Sequence, residues 1–170
     1  MPALTMTQND KGLLLRLTEQ GAEFVVIGGV CGVLHGTALL TYDLDICCRL
    51  GRENLRRIER AVEDLHPRHR LVANKLPLEL TDDLCDRLKN VYLETDLGKL
   101  DCLGEVEGIG NYEQVLQHSI THKTSYGEFR ILSLDALIAS KVAAGREKDL
   151  YAVKLLRGIK EKNDQQKNLL

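Results

Sequence analysis

Two aspartates one residue apart, Asp43 and Asp45, lie within a strand-like run at residues 41–48. Side chains alternate between the two faces of a β-strand, so both carboxylates are predicted to project from one face. Two like charges at this spacing repel each other and do not favour folding unless a cation lies between them. Hard oxygen ligands suit Mg2+ or Mn2+, with water and substrate phosphates completing the coordination. The pair therefore indicates a metal site.

A pair of glycines, Gly28 and Gly29, follows an apolar strand-like run at residues 24–27 and precedes a short apolar helical segment at residues 30–35. Accessible backbone N–H groups at the start of a helix, together with the helix dipole, form a binding site for phosphate. A phosphate site beside metal-holding carboxylates is an arrangement used in phosphoryl transfer. Each feature also has a structural alternative, an exposed acidic strand or a plain turn, so further residues must decide between them.

A third aspartate, Asp101, lies between Leu100 and Cys102 in the second strand of a predicted hairpin. The two strands of this hairpin are predicted at residues 91–95 and 99–103, joined by a tight turn. Asp101 is expected to point away from the side that buries its two apolar neighbours. A lone aspartate on a strand is usually an exposed polar residue. Beside an Asp-x-Asp strand, it becomes the expected third carboxylate of the metal site.

Periodicity in the remaining sequence predicts helices around a small sheet. Apolar residues recur at helical spacing at residues 10–18, 52–65, 111–118, 133–145 and 148–160. A second hairpin is predicted at 120–124 and 128–132, a loop at 104–110, and a short helix at 82–88 within the poorly defined segment 68–90. The prediction is an α/β (α+β) fold with a small mixed β-sheet flanked by helices. A single domain is expected, with its core at about residues 22–156 and a flexible tail at 161–170.

Composition and charge are typical of an ordinary globular domain. The chain has 170 residues, 44% of them hydrophobic, and a net charge of −2, which excludes a general attraction for nucleic acid. Five cysteines without a C-x-x-C spacing favour free thiols in a reducing compartment over disulfides or zinc. Residues 1–10 lack the hydrophobic region of a signal peptide, and no apolar run is long enough for a bilayer. The prediction is a cytoplasmic protein without a membrane partner.

Taken together, Gly28-Gly29, Asp43-x-Asp45 and the later Asp101 resemble the minimal nucleotidyltransferases of the DNA polymerase β superfamily. The resemblance covers most of the chain, from about residue 24 to residue 156. The stretch LSLDALIASKVAAGREKDLYAVKLL, which ends at residue 156, is similar to the closing part of small prokaryotic members.

The resemblance implies an activity, a set of ligands and roles for particular residues. It implies a metal-dependent enzyme that transfers a nucleoside monophosphate from an NTP, with ATP the expected donor, to an acceptor hydroxyl. Asp43 and Asp45 would bridge two Mg2+ ions, and Asp101 would hold the ion that activates the hydroxyl and would accept its proton. The residues expected to bind nucleotide are Gly28, Gly29, Thr41 and Lys141. Those expected to support the site or contact substrate are Arg146, Lys148 and Asp149.

The sequence departs from this family in two places. Many members carry a serine after the first turn glycine, where this chain has Gly29 and Val30, and an arginine shortly before the carboxylates, where it has Leu39 and Leu40. Loss of a hydroxyl and a cation weakens triphosphate binding. The alternative is therefore a catalytically degenerate interaction protein, such as a toxin–antitoxin component. The acceptor also stays open between tRNA, protein and a small molecule, as does a homodimeric or toxin–antitoxin partner.

Two further groups of residues are predicted to be structural. His66 with His69, and His118 with His122, have spacings that zinc ligands can adopt, but a proline interrupts the first pair and a helix end the second. Arginines alternate with glutamates in the helix predicted from residue 52 onward, which favours a solvated face with ion pairs over an RNA-binding groove.

Overall fold

The computed structural model describes residues 8–170. Most of residues 1–10, on which the prediction about a signal peptide depends, lies outside the described residues. The α-helices within the described range are α1 (Asp10–Glu19), α2 (Gly28–His35), α3 (Arg52–Val62), α4 (Asp82–Arg87), α5 (Tyr112–Gln117), α6 (Leu134–Ala144) and α7 (Glu147–Asn168). The strands are β1 (Phe24–Ile27), β2 (Asp43–Cys48), β3 (Arg68–His69), β4 (Asn90–Thr95), β5 (Gly98–Leu103), β6 (Glu105–Val106), β7 (Gly110–Asn111), β8 (Ser119–Thr124) and β9 (Gly127–Leu132).

A seven-stranded mixed sheet with the order β3-β4-β5-β2-β1-β9-β8 forms the centre of the fold. Strand β2 lies between β5, to which it runs parallel, and β1, to which it runs antiparallel. Strand β1 in turn runs parallel to β9. The strand that carries the Asp-x-Asp pair is therefore hydrogen-bonded on both sides, which holds its side chains in a fixed register.

Burial along β2 explains why its aspartates face a common direction. Leu44 and Ile46 are completely buried, whereas Asp43 and Asp45 on the other face keep partial exposure. This alternation is the period-2 pattern of a strand whose apolar side packs into the core. The core also includes the leucines of α1, and all five cysteines are buried free thiols, as the sequence predicts.

Local signals place the two helices that flank the site. Helix α2 ends at Gly36, whose φ of 113° lies in the left-handed region that glycine adopts readily, and the chain then turns toward β2. Ser133 caps α6 by accepting a hydrogen bond from the backbone N–H of Ala136. Helix α6 then carries Lys141 near its last turn and ends at Gly145.

The largest differences from the sequence-based boundaries lie in three places. Residues 104–110, predicted as a loop, contain β6 and begin β7, which pair with each other. The segment 68–90 contains β3, which pairs with β4 at the edge of the large sheet. Helix α7 continues to Asn168 rather than ending near residue 160, because polar helix-forming residues extend it without core contacts. The flexibility of residues 161–170 and the single-domain boundaries stay predictions.

None of the helices within residues 8–170 is both long enough and apolar enough to cross a membrane.

Candidate active site

The three predicted carboxylates meet on one face of the sheet. Asp45 and Asp101 are direct neighbours in the parallel pairing of β2 with β5, and Asp43 lies two residues before Asp45 on the same face. One oxygen of each carboxylate lies within 4.8 Å of the others. Within residues 8–170, this is the only cluster of at least three histidine, cysteine, aspartate or glutamate side chains with ligand atoms so close together.

Asp45 lies in surroundings that disfavour its charged form. Burial, followed by repulsion from Asp43 and Asp101, raises the pKa of Asp45 from its ordinary value of 3.8 to about 7. Arg70 and Lys141 oppose this shift but do not cancel it. A divalent cation between these oxygens would relieve the repulsion, so the donor set fits Mg2+ or Mn2+.

Arg70 is a member of this site that the sequence analysis missed. Its Nε donates to Asp101 Oδ1 at 3.0 Å, and its Nη2 donates to Asp101 Oδ2. The same Nη2 lies 3.9 Å from Asp43 Oδ2. Asp101 therefore has a basic partner, because Arg70 continues the pairing of β3 with β4 by one residue and comes from a distant part of the sequence.

The start of α2 packs directly onto Asp45. Gly28 has a φ of 64°, and a Cβ added there would lie 3.1 Å from the Cβ of Asp45 and would collide with its Oδ2. Only glycine allows the backbone this close to the carboxylate. No side chain among residues 8–170 caps the first turn of α2, so its N–H groups keep their capacity for hydrogen bonding. Gly28 and Gly29 thus lie where a phosphate near the carboxylates would meet backbone donors.

Thr41 supplies a hydroxyl beside Gly29. A Cβ added to Gly29 would lie 3.0 Å from Thr41 Oγ1, and this hydroxyl donates to the backbone oxygen of Asp43 at 2.9 Å. The chain lacks a serine near this turn, but Thr41 brings a hydroxyl within contact distance of the same position. Thr41 and the glycine turn therefore lie side by side, and their role in nucleotide binding stays a prediction.

Lys141 and Arg146 converge on a buried carboxylate, Asp149. Asp149 is 3% exposed, Arg146 Nε donates to its Oδ2 at 2.6 Å, and Lys141 Nζ lies 3.8 Å from its Oδ1. Burial raises the pKa of Asp149, but Arg146 and Lys141 outweigh burial and hold the pKa below its usual range. Asp149 also accepts from the backbone N–H of Arg146 and so caps α7. These contacts hold the side chains of Lys141 and Arg146 in place.

These groups line one cleft of about 470 Å3. Asp43 and Asp45 lie on its wall together with the glycine turn, Thr41, Lys141, Arg146, Lys148 and Asp149. Two tyrosines that the sequence analysis did not single out, Tyr42 and Tyr151, are 73% and 58% exposed and line the same cleft. The arrangement combines hard oxygen ligands, backbone donors, cations and exposed aromatic rings.

The histidines with zinc-like spacing form no such cluster among the described residues. His66 pairs with Asp96, and His118 hydrogen-bonds the backbone oxygen of Gln114. The arginine-rich face of α3 is confirmed as an ion-paired surface, although Arg52 and Arg56 pair with carboxylates of α4 rather than only with their own helix.

The buried cysteines do not form a nucleophilic site. Burial raises the pKa of both Cys31 and Cys47 to about 12, so these thiols stay protonated near neutral pH.

Comparison with solved structures shows a likeness of fold. No protein-family model and no curated protein sequence matches this chain. A crystal structure from Thermotoga maritima, described as a "putative nucleotidyltransferase", is similar with a TM-score of 0.53 and 18% sequence identity, over 87% of this chain and 89% of that one. At this identity the likeness shows the fold alone. The mixed α/β fold is therefore nucleotidyltransferase-like, which confirms the predicted fold class.

Proposed function

We propose that this protein is a metal-dependent nucleotidyltransferase, which moves a nucleoside monophosphate from an NTP to an acceptor hydroxyl. The observation that carries this proposal is the meeting of Asp43, Asp45 and Asp101 beside the glycine-led start of α2. Carboxylates on two neighbouring strands and backbone donors on an adjoining helix are the groups that nucleotidyl transfer requires.

The residues present fit a divalent cation. Their donor atoms are hard carboxylate oxygens, and burial, with repulsion from Asp43 and Asp101, raises the pKa of Asp45, so the protein itself disfavours the charged form that a cation would stabilise. Bound Mg2+ or Mn2+ would supply Lewis-acid stabilisation of the attacking and leaving oxygens. Asp43 and Asp45, which lie on the wall of the cleft, would hold the ion there.

The proposed reaction forms one bond and breaks one bond at the α-phosphorus. The acceptor oxygen attacks the α-phosphorus, the bond from that phosphorus to the oxygen bridging to the β-phosphate breaks, and pyrophosphate leaves with the bonding electrons. The hydroxyl proton passes to a carboxylate of the cluster. Positioning and electrostatics carry most of the rate in such reactions, so no covalent intermediate with the protein is required.

The remaining cleft residues are proposed to contact either the phosphates or the base of the nucleotide. Backbone N–H groups of Gly28 and Gly29, with Thr41 beside them, are the proposed contacts nearest the α-phosphate. Lys141, Arg146 and Lys148 would neutralise the β- and γ-phosphates, and Arg146 and Lys148 have exposed side chains that can reach into the cleft.

The exposed rings of Tyr42 and Tyr151 can stack on a nucleobase. Stacking accepts any base, so ATP as the donor stays a prediction. The cytoplasmic location, which free buried thiols favour, also stays a prediction.

A second candidate function is supported by Arg70. Its pairing with Asp101 neutralises one of the three carboxylates, as would suit a binding-only protein that keeps the fold without turnover. In that case the expected partner is a protein, either a second copy or a toxin–antitoxin counterpart.

Labelled NTPs distinguish these two functions. The protein is incubated with Mg2+ or Mn2+, cell extract as the acceptor pool, and each NTP labelled at the α- or the γ-phosphate. Nucleotidyl transfer puts the α-label, but not the γ-label, onto an acceptor in the tRNA, protein or small-molecule fraction. Asp43→Asn serves as the inactive control. Absence of α-label transfer from all four NTPs, alongside tight binding of a protein partner, would favour the binding-only function.

A further inference from the structure

A continuous row of paired residues crosses the sheet, from Arg70 through Tyr92 and Asp101 to Asp45. Asp45 lies opposite Asp101 in the β2–β5 pairing, and Asp101 lies opposite Tyr92 in the β4–β5 pairing. The backbone N–H of Arg70 donates to the oxygen of Tyr92 at 3.0 Å, which continues the β3–β4 pairing by one residue. Residues in such a row share one face, so the Arg70 side chain approaches Asp101 along the sheet surface.

The guanidinium of Arg70 is held from several sides. It lies over the Tyr92 ring, 5.6 Å from its centroid, and makes a two-point contact with the Asp101 carboxylate. The Arg70 side chain is only 20% exposed and that of Asp101 only 6% exposed. A two-point pair with this little solvent exposure is a fixed contact rather than a mobile surface ion pair.

Asp101 therefore differs from Asp45 and from Asp43, whose Oδ2 lies 3.9 Å from Arg70 Nη2, beyond hydrogen-bond distance. Both of its oxygens accept from Arg70, and it does not lie on the wall of the cleft that Asp43 and Asp45 line. A divalent ion bound to Asp101 would share that one carboxylate with the Arg70 guanidinium. The ion and the guanidinium are both positive, and at such a short separation they repel strongly where solvent is scarce.

Charge counting leads to the same result. Three ionised carboxylates and one guanidinium leave two negative charges, which one divalent ion neutralises. A second divalent ion would leave the cluster with two excess positive charges in the nucleotide-free protein.

We infer that Arg70 takes the place of a second metal ion, so that the nucleotide-free protein binds one divalent ion, between Asp43 and Asp45. Asp101 then acts as the partner that fixes Arg70 rather than as a ligand of that ion. The inference rests on the proposed function, since it concerns the metal site of that reaction. It replaces the expectation of two ions held by three carboxylates with one ion and one fixed guanidinium.

Counting bound Mn2+ tests the inference without any activity assay. Free Mn2+ is measured by electron paramagnetic resonance during titration of the nucleotide-free protein at pH 8, and circular dichroism verifies the fold of each variant. The expected count is one ion for the wild type and two for Arg70→Gln, because loss of the guanidinium frees Asp101. Arg87→Gln removes a solvent-exposed arginine–aspartate pair on α4 and should leave the count at one.

A double variant provides a second test if Arg70→Gln alone does not fold. Arg70→Gln with Asp101→Asn removes one positive and one negative charge together, and the two amides can still hydrogen-bond each other. The count should stay at one, with a dissociation constant within roughly threefold of the wild type. A loss of affinity beyond roughly tenfold would mean that Asp101 is a ligand of the ion and would overturn the inference.

The remaining outcomes separate this inference from the proposed function. Two ions in the wild type, or one ion in a folded Arg70→Gln variant, would overturn the role of Arg70 and leave the proposed transfer reaction standing. No Mn2+ bound by either protein would remove the metal site itself and the proposed function with it.

Discussion

Two acidic positions in the same cleft have opposite electrostatic environments. Asp45 is crowded by two other carboxylates, and burial with this repulsion raises its pKa to about 7. Asp149 is also buried, yet Arg146 and Lys141 outweigh the effect of burial and hold its pKa below the usual range. Burial alone therefore does not distinguish a structural carboxylate from a candidate cation ligand. The charges of the neighbouring side chains make the difference.

The difference gives each residue a distinct task. Asp149 is already paired, caps α7 and fixes two cations on one wall of the cleft. The negative charge of Asp45 is not fully balanced by nearby cations, and its carboxylate lies against the start of α2. The side of the cleft that carries Asp149 has its charges paired within the protein, whereas the side that carries Asp45 would be neutralised by the proposed cation. Variants on the two walls should accordingly fail in different ways.

The largest effect is expected from Asp45→Asn, which removes charge from the uncompensated wall while keeping the shape of the side chain. α-Label transfer should fall by roughly three orders of magnitude, because metal-held charge stabilises both reacting oxygens. The thermal unfolding midpoint should stay the same or rise, since a buried repulsion disappears. Marked destabilisation with retained transfer would show that Asp45 serves the fold.

A smaller loss of transfer is expected from Lys141→Ala, on the compensated wall. Removing one preorganised charge near the phosphates should lower the rate by about two orders of magnitude, with the fold unchanged. Lys160→Ala is the matched control, because it removes an exposed lysine paired with Asp135 on the surface of α6 and α7. Equal turnover in wild type and Lys141→Ala would remove Lys141 from the site.

Asp149→Asn should reduce stability rather than metal binding. It breaks a buried, hydrogen-bonded ion pair and the N-terminal cap of α7, for an expected loss of about 2–3 kcal/mol in the free energy of unfolding. Urea denaturation at pH 7 measures this loss. Unchanged stability would contradict the structural role given to Asp149.

The pH dependence of stability should also separate the walls, by a smaller amount. Folded Asp45 has a pKa of about 7 and its unfolded value is near 3.8, so the folded protein binds more protons between these pH values. The free energy of unfolding in the presence of a chelator should therefore fall as pH rises from about 4 to 7. The expected fall is on the order of 1–2 kcal/mol after allowance for partial solvent exposure.

Asp45→Asn should remove this fall, and a wild-type profile that persists in the variant would assign it to another group. The lowered pKa of Asp149 acts in the opposite direction, since its contribution is present above the unfolded pKa and is lost as pH falls.

The sequence predicts the carboxylate cluster because the direction of each aspartate side chain follows from its immediate neighbours along the chain. Alternation along a strand fixes the common face of Asp43 and Asp45, and the apolar neighbours of Asp101 fix its direction. Only the adjacency of β2 and β5 is non-local, and the resemblance to a known family supplies that expectation. The fold class follows from the same periodicities.

Arg70 could not be found in this way. It lies in the segment with the weakest periodicity, and its contact with Asp101 joins residues 31 positions apart through a two-residue strand. Such a short strand has no usable alternation, and it becomes visible only through its pairing with β4. The partnership of Lys141 and Arg146 with Asp149 has a local signal, since Arg146 and Asp149 are three residues apart at a helix start.

The most direct test of the difference between the two walls is the stabilisation of the protein by Mg2+ at pH 8. At a Mg2+ concentration about one hundred times the dissociation constant, a single site should raise the free energy of unfolding by about 2.7 kcal/mol. The wild type and Asp149→Asn should show this gain by urea denaturation, and Asp45→Asn should show almost none. An equal gain in all three proteins, or no gain in the wild type, would contradict the assignment of the uncompensated carboxylates to a divalent cation.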